Sequence, residues 1–238
     1  MSDDVSVVEA LMSRRSVRAF LPDPVDEHTL RRIFECARRA PSGSNIQPWK
    51  AWVMTGESRD ALSRKLLAAV SNPDTADEHE EEYAYYPRNW HSPYLERRRE
   101  LGWALYSTLG IERGNKDGMQ VQHARNFAFF DAPVGIMFTI DRQMEQGSWL
   151  DYGMFLQNIM LMARAFGLDT CPQAAFNRYH RIVAEHLQLP PTEMLVCGMS
   201  LGYADPSQPE NGLVSTREPV DGFVHFLNDA GNLSATHP

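Results

Sequence analysis

Several features that would assign a protein class directly are missing from this 238-residue chain. Cysteine occurs only at Cys36, Cys171 and Cys197, and an odd, widely spaced set forms neither a disulfide framework nor a zinc ligand set. No apolar run approaches the length of about 18 residues that a membrane-spanning helix needs. The acidic start, Met-Ser-Asp-Asp-Val, lacks a basic and then apolar leader. We therefore expect no signal peptide, no transmembrane helix, and reduced thiols in the cytoplasm.

Positive charge and nucleotide-binding signatures are scarce as well. The 23 Lys and Arg residues are outnumbered by 31 Asp and Glu, which gives a formal net charge of −8. An acidic surface argues against nucleic acid and anionic membranes as partners. The chain has no P-loop and no Gly-x-Gly-x-x-Gly after a strand, so a nicotinamide cofactor would have no Rossmann site. The eight histidines form no ligand cluster, and no metal is expected.

The apolar pattern predicts one α+β domain over residues 1–238, with helices flanking a mostly antiparallel or mixed sheet. Helices are predicted over 4–14, 26–40, 58–70, 94–109, 116–130, 149–166 and 179–187. Strands or extended segments are predicted over 49–55, 133–140, 168–176, 193–203 and 219–227. The helix over 149–166 is apolar almost all round, which predicts burial in the core or at a subunit interface.

Segment 71–110 differs from its surroundings. Its first part is acidic and broken by proline, and it then carries Tyr83, Tyr85, Tyr86 and Trp90. It is too polar for a core element and too aromatic for a linker. We predict a lid over the surface, because flat aromatic substrates stack on such side chains.

Two short blocks near the start carry the clearest chemistry. The first packs three guanidiniums and a hydroxyl into five residues: Arg14, Arg15, Ser16 and Arg18. Arginine's planar fork matches phosphate oxygens and stays charged at any working pH. The second block is a loop of small polar residues that can line a planar heterocycle: Pro41, Ser42, Gly43, Ser44 and Asn45. The pair predicts a ligand with a phosphate and a flat ring.

In this order and spacing, and with Arg217 near the other end, the two blocks resemble the FMN-dependent nitroreductase family. The resemblance implies an intertwined homodimer with bound FMN and NAD(P)H as co-substrate. It also implies a ping-pong reduction of a small nitroaromatic compound to nitroso and hydroxylamine products. No side chain need be catalytic, because the chemistry takes place at flavin N5. The stretches Tyr-Pro-Arg-Asn-Trp and Leu-Gly-Ile-Glu-Arg are similar to a bacterial branch that includes nitrobenzoate reductases.

The resemblance assigns the phosphate end of the cofactor first. Arg14 and Ser16 stand at the positions that hold the phosphate, and Arg15 contributes through its backbone. Arg18 stands near the N1–C2=O edge, where a positive charge stabilises the reduced flavin. Arg217 closes on the phosphate, and the neutral Ser215 stands where the family often has a lysine.

The ring end of the cofactor is assigned to three further places. The loop of residues 41–45 is expected to reach the flavin of the other subunit. The backbone N–H of Ala174 is expected to face flavin N5, between its neighbours Pro172, Gln173 and Ala175. Asp151 matches a polar position near the flavin, and a helix first-turn acid is an equally good interpretation. Four arginines of the lid could favour nitrobenzoates over neutral nitroarenes: Arg88, Arg97, Arg98 and Arg99.

Several alternatives stay open. A quinone or flavin reductase, a reductive dehalogenase of halotyrosines and a flavin-destroying enzyme of cobalamin biosynthesis use related scaffolds. The dehalogenase is disfavoured because residues 71–93 contain no Lys. A flavin-storage role would involve no turnover. Ser200 lies in a Gly-x-Ser-x-Gly pattern typical of serine hydrolases, but Pro206 and Pro209 forbid the helix that a nucleophile elbow requires.

Overall fold

The computed structural model describes residues 5–72, 74 and 78–227 of the chain. In these ranges four strands form one sheet in the order β1-β2-β4-β3, and every neighbouring pair is antiparallel. The strands are β1 Lys50–Thr55, β2 Val134–Asp141, β3 Asp169–Gln173 and β4 Glu193–Gly202. The prediction of an α+β fold with a mostly antiparallel sheet is confirmed.

Helices cover the sheet and lie close to the predicted ranges. They are α1 Val7–Ser13, α2 Glu27–Ala37, α3 Gly56–Val70, α4 Tyr94–Thr108, α5 Lys116–Ala124, α6 Gln146–Ala165 and α7 His180–Leu187. α2 begins where Asp26 accepts a hydrogen bond from the Thr29 N–H, as an N-cap does. Within the described ranges no helix has both the length and the apolar character needed to cross a membrane.

Three of the predicted elements are wrong in part. The extended segment predicted over 168–176 ends at Gln173, and residues 174–176 belong to the 3₁₀ turn Ala174–Tyr179. The helix predicted over 116–130 stops at Ala124 and gives way to the 3₁₀ segment Arg125–Asp131. A helix could not run on to residue 130, because Phe129 and Phe130 adopt φ of 53° and 52°, which a right-handed helix cannot contain. The extended segment predicted over 219–227 is not a strand and instead contains a short 3₁₀ turn, Val220–Gly222.

The two faces of the sheet carry separate cores. Ile136 and Phe138 of β2 point to the face covered by α2 and α6, whereas Met137 points to the face covered by α3 and the aromatic 3₁₀ turns. This core buries only part of the apolar surface of α6, since Tyr152 is 1% exposed whereas Leu150 is 72% exposed. Its exposed face therefore looks away from this core.

The chain after α1 places the arginine-rich block against the edge strand β3. Ser16 forms a parallel bridge with Thr170, and the Val17 N–H donates to the Thr170 carbonyl at 3.1 Å. Phe20 then forms an antiparallel bridge with Ala204, just after β4. Residues 14–18 are thus held alongside the start of β3.

Candidate functional site

A cavity of about 310 Å³, called the anion cavity below, opens beside this short bridge. It gathers six of the predicted site residues: Arg14, Arg15, Ser16, Arg18, Ser215 and Arg217. Apolar side chains that sequence reasoning missed complete the wall: Leu11, Met12, Leu101, Leu213 and Val214. The structure therefore brings the N-terminal block and the late basic residue to one place.

Two like charges face each other in the anion cavity. Burial, and then repulsion from the Arg217 guanidinium, lower the pKa of Arg14. Arg217 is held by its own segment, since its Nη1 donates to the Ser215 hydroxyl at 2.6 Å and to the Thr216 carbonyl at 2.7 Å. Cations held together in this way favour an anion between them, and arginine pairs suit phosphate.

A second cavity, of about 680 Å³, lies where β3 ends and is called the apolar cavity. β3 contributes Pro172 and Gln173, and Ala174 follows. The other walls come from α6, β4 and the start of the lid: Gln146, Trp149, Tyr152, Gly153, Leu156, Met194, Val196, Cys197, Tyr83, Ala84 and Tyr85. No lining residue carries a charged side chain, so these walls suit a flat, largely apolar ring.

Ala174 lies at the point where a backbone donor is useful. It opens the 3₁₀ turn Ala174–Tyr179 directly after β3. The first N–H groups of a helical turn have no partner within that turn. This N–H can therefore donate to a ligand in the apolar cavity, whereas its neighbour Ala175 does not line the cavity.

The Gln173 side chain faces inward and leaves only its backbone for a ligand. It is 3% exposed, donates to the Asn126 carbonyl at 2.7 Å, and accepts from the Ser200 hydroxyl at 2.6 Å. Ser200 is fully buried within β4, which is followed by a loop rather than a helix. The hydrolase hypothesis is therefore wrong, because a buried mid-strand hydroxyl cannot act as an exposed nucleophile.

The loop of residues 41–45 lines neither cavity among the described residues. Its Gly43 N–H donates to the Asp151 carboxylate at 3.0 Å, which ties the loop to α6 of its own chain. Ser44 and Asn45 adopt left-handed backbone with φ of 51° and 57°, and both are exposed. Asp151 therefore tethers this loop and is absent from the lining of both the anion cavity and the apolar cavity.

The start of the lid is fastened to the body over the apolar cavity. The Tyr83 hydroxyl donates to the Val196 carbonyl, and its ring meets Trp149 edge-on at 4.6 Å. Burial raises the pKa of Tyr83, so the hydroxyl keeps its proton. The Tyr83 carbonyl accepts from Asn177 at 3.0 Å, and the preceding Glu82 pairs with Arg142 at 2.5 Å.

The later part of the lid lies near the anion cavity. Arg97 of α4 pairs with Glu218 at 2.5 Å, next to Arg217 in the chain. Arg98, one residue on, lies over the rings of Trp90 at 4.7 Å and Tyr86 at 5.8 Å. The lid thus contacts both ends of the candidate site.

The buried cysteines are unreactive by environment. Burial raises the pKa of Cys197, which lines the apolar cavity, to about 12 and that of Cys171 to about 11. Cys36 is exposed. The described residues contain no group of three His, Cys, Asp or Glu side chains placed to hold a metal ion.

Known proteins resemble this chain over almost its whole length. Residues 11–203 match the model of the nitroreductase family. A 4-nitrobenzoate reductase of Pseudomonas putida is 44% identical, covering 95% of this chain and 97% of its own. A nitrobenzene nitroreductase of Ectopseudomonas oleovorans is 40% identical, with coverages of 93% and 96%.

A solved structure matches the fold closely. The FMN and NADPH-dependent nitroreductase NfnB from Sphigopyxis sp. strain HMH superimposes with a TM-score of 0.90 at 40% identity, covering 94% of this chain and 99% of that one. Since the family model spans most of the chain and these relatives span nearly all of it, the chain belongs to the nitroreductase family.

Proposed function

We propose that this protein is an FMN-dependent reductase that uses NAD(P)H to reduce nitroaromatic compounds. One observation carries the proposal: a cationic cavity and an uncharged apolar cavity lie at the two ends of β3. Ser16 is bridged to Thr170, and Gln173 stands three residues further on, a rise of about 10 Å in an extended strand. This suits a ligand with a phosphate at one end and a flat ring at the other.

The residues of both cavities fit FMN. Arg14, Ser16 and Arg217 would hold its phosphate, and Arg15 and Ser215 would add polar contacts at the same cavity. The ring would lie against Pro172, Gln173 and Ala174, beside Ala175. When bound, FMN supplies the transfer of electrons from a reduced nicotinamide to the acceptor.

The protein's own contribution is binding and electrostatics. Arg18 places a positive charge that favours the reduced, negatively charged form of a bound flavin. The Ala174 N–H would donate to the ring, and the walls from α6 and the lid would exclude water and receive an aromatic acceptor. Water can supply the protons, so no acidic side chain is required.

We propose that the site is completed by a second copy of the chain in an intertwined homodimer. The rim of the anion cavity exposes Leu11 by 49%, Met12 by 83%, Leu101 by 40% and Val214 by 74%. Contiguous exposed apolar side chains mark interaction surfaces. The exposed loop of residues 41–45, fixed by Asp151, would then reach the partner's flavin. We also infer one domain over residues 1–238 and, from the three free cysteines, a cytoplasmic location.

Light scattering tests the dimer. We expect a dimer that retains FMN on dilution. A stable monomer with bound FMN would contradict the composite site.

We further propose that Arg98 selects acceptors that carry a carboxylate. Arg97 is engaged by Glu218. Arg98 instead lies over the ring of Tyr86, which meets the ring of Tyr85 at 4.7 Å, and Tyr85 lines the apolar cavity. Arg98→Ala should raise KM for 4-nitrobenzoate about tenfold, the value of one exposed charge-assisted contact, and leave KM for nitrobenzene unchanged. Arg99→Ala is the matched control. Equal effects of Arg98→Ala on both acceptors would contradict this assignment.

The function itself is tested by the bound flavin and its turnover. We expect yellow protein from which FMN, and not FAD, is released. Anaerobic NADPH should bleach the flavin, and addition of nitrobenzene or 4-nitrobenzoate should restore its colour as two electrons convert the nitro group to nitroso. With excess NADPH, a second pair of electrons should convert the nitroso compound to the hydroxylamine. A flavin that NADPH and NADH leave oxidised would indicate storage, and reoxidation only by quinones or halotyrosines would indicate the alternative reductases.

A further inference from the structure

Asn211 joins the two walls of the anion cavity, although it does not line the cavity itself. It lies in the 3₁₀ turn Pro209–Gly212, directly before the segment that carries Ser215 and Arg217. Its side chain reaches back across the fold to the opposite wall, where Arg18 lies. The Asn211 side chain therefore contacts the wall that contains Arg18, and its backbone leads directly into the wall that contains Ser215 and Arg217.

Both polar atoms of the Asn211 amide form hydrogen bonds to the backbone. Its Oδ1 accepts from the Arg18 N–H at 2.9 Å, and its Nδ2 donates to the Ala19 carbonyl at 2.7 Å and the Asp205 carbonyl at 2.9 Å. The residue is 4% exposed. Buried amides that satisfy several backbone groups hold those groups in one arrangement, since any displacement leaves polar atoms unpaired.

The 3₁₀ turn that carries Asn211 is anchored by an ion pair whose carboxylate is buried. Glu210 is 1% exposed and accepts from Arg125 at 2.6 Å. Arg125 also pairs with Asp131 at 3.3 Å, the last of three consecutive residues with left-handed backbone, 129–131. The position of Asn211 is therefore set by the body of the protein and not by the exposed segment that follows it.

We propose that Asn211 is a positioning residue for the phosphate of the bound flavin. By holding the Arg18–Ala19 backbone, it sets the separation between the guanidiniums of Arg14 and Arg217. Phosphate binding by arginine depends on such geometry, because the donors of each guanidinium form a rigid fork. This inference rests on the proposed function, since it concerns the FMN that the cavity would hold.

The test compares the affinities of the apoprotein for FMN and for riboflavin, which lacks only the phosphate. The ratio of the two dissociation constants isolates the phosphate contribution and does not change when a variant is merely less stable. Asn211→Ala should reduce the preference for FMN over riboflavin about tenfold, the loss of one charge-assisted contact. Asn211→Ser, which keeps one hydrogen-bonding group, should reduce it less.

Asn158→Ala is the matched control. The Asn158 amide also ties a distant backbone carbonyl, that of Ala37, at 3.3 Å, but it lies in α6 away from the anion cavity. The Asn158→Ala variant should prefer FMN over riboflavin as strongly as the wild type does. The proposal would be overturned if folded Asn211→Ala kept the wild-type ratio of the FMN and riboflavin dissociation constants. If Asn211→Ala does not fold, the same result in Asn211→Ser would overturn it. A wild type without preference for FMN would instead contradict the proposed function.

Discussion

Replacement of Arg217 by alanine should separate cofactor binding from folding. In the apoprotein, Arg217 repels Arg14, and this repulsion contributes to the lowered pKa of Arg14. The substitution removes that repulsion and also removes a positive charge from the phosphate site. We therefore expect the apoprotein's melting temperature to stay the same or rise slightly, while its affinity for FMN falls.

The size of the effect follows from the exposure of Arg217. A hydrogen bond to a charged group contributes about 1.5–3 kcal/mol, which corresponds to a factor of about 10 to 100 in Kd. Arg217 is exposed, and solvent screening places the expected loss near the lower end, at about tenfold. The loss should shrink further at high salt, because exposed charges are screened over about 10 Å at 0.1 M ionic strength.

Titration of apoprotein with FMN, followed by flavin fluorescence, measures this loss at low and high salt. Arg39→Ala is a suitable control, because Arg39 is exposed just after α2 and lines neither cavity. Its Kd should match that of the wild type. The reasoning would be refuted if Arg217→Ala bound FMN as tightly as the wild type, or if it destabilised the apoprotein.

Three further outcomes are expected. Gly198→Ala places a Cβ 2.4 Å from the Phe176 ring and should lower the free energy of unfolding by about 1–3 kcal/mol, measured by thermal or denaturant unfolding. Gly147→Ala is the control and should not lower it measurably, because the space around Gly147 is open. In the native protein a thiol reagent should modify Cys36 alone, because Cys171 and Cys197 are buried. All three cysteines should react only after denaturation, and modification of all three in the native protein would contradict this burial. Tyr83→Phe should raise KM for nitroaromatics and leave the rate of flavin reduction by NADPH, measured by stopped flow, near that of the wild type. If flavin reduction and nitroaromatic reduction both slow while FMN stays bound, the lid has only a structural role.

The sequence predicted well whatever depends on neighbours in the chain. Arg14, Ser16 and Arg18 lie within five residues, so any extended or turn conformation leaves them close together. The helices follow from apolar spacing and caps such as Asp26, and β2 follows from its apolar run. The helix predicted over 116–130 was too long for a local reason as well, because apolar spacing does not show that Phe129 and Phe130 adopt left-handed backbone.

Only the tertiary structure decided which distant residues meet. Arg217 shares a cavity with Arg14 because the bridge from Ser16 to β3 fixes the N-terminal block and the Asn211 amide ties the later segment to Arg18. In the same way, Gln173 turns inward toward Ser200. The sequence determined the chemistry that each segment carries. The sheet register and helix packing, which no local pattern encodes, decided which of these groups share a cavity.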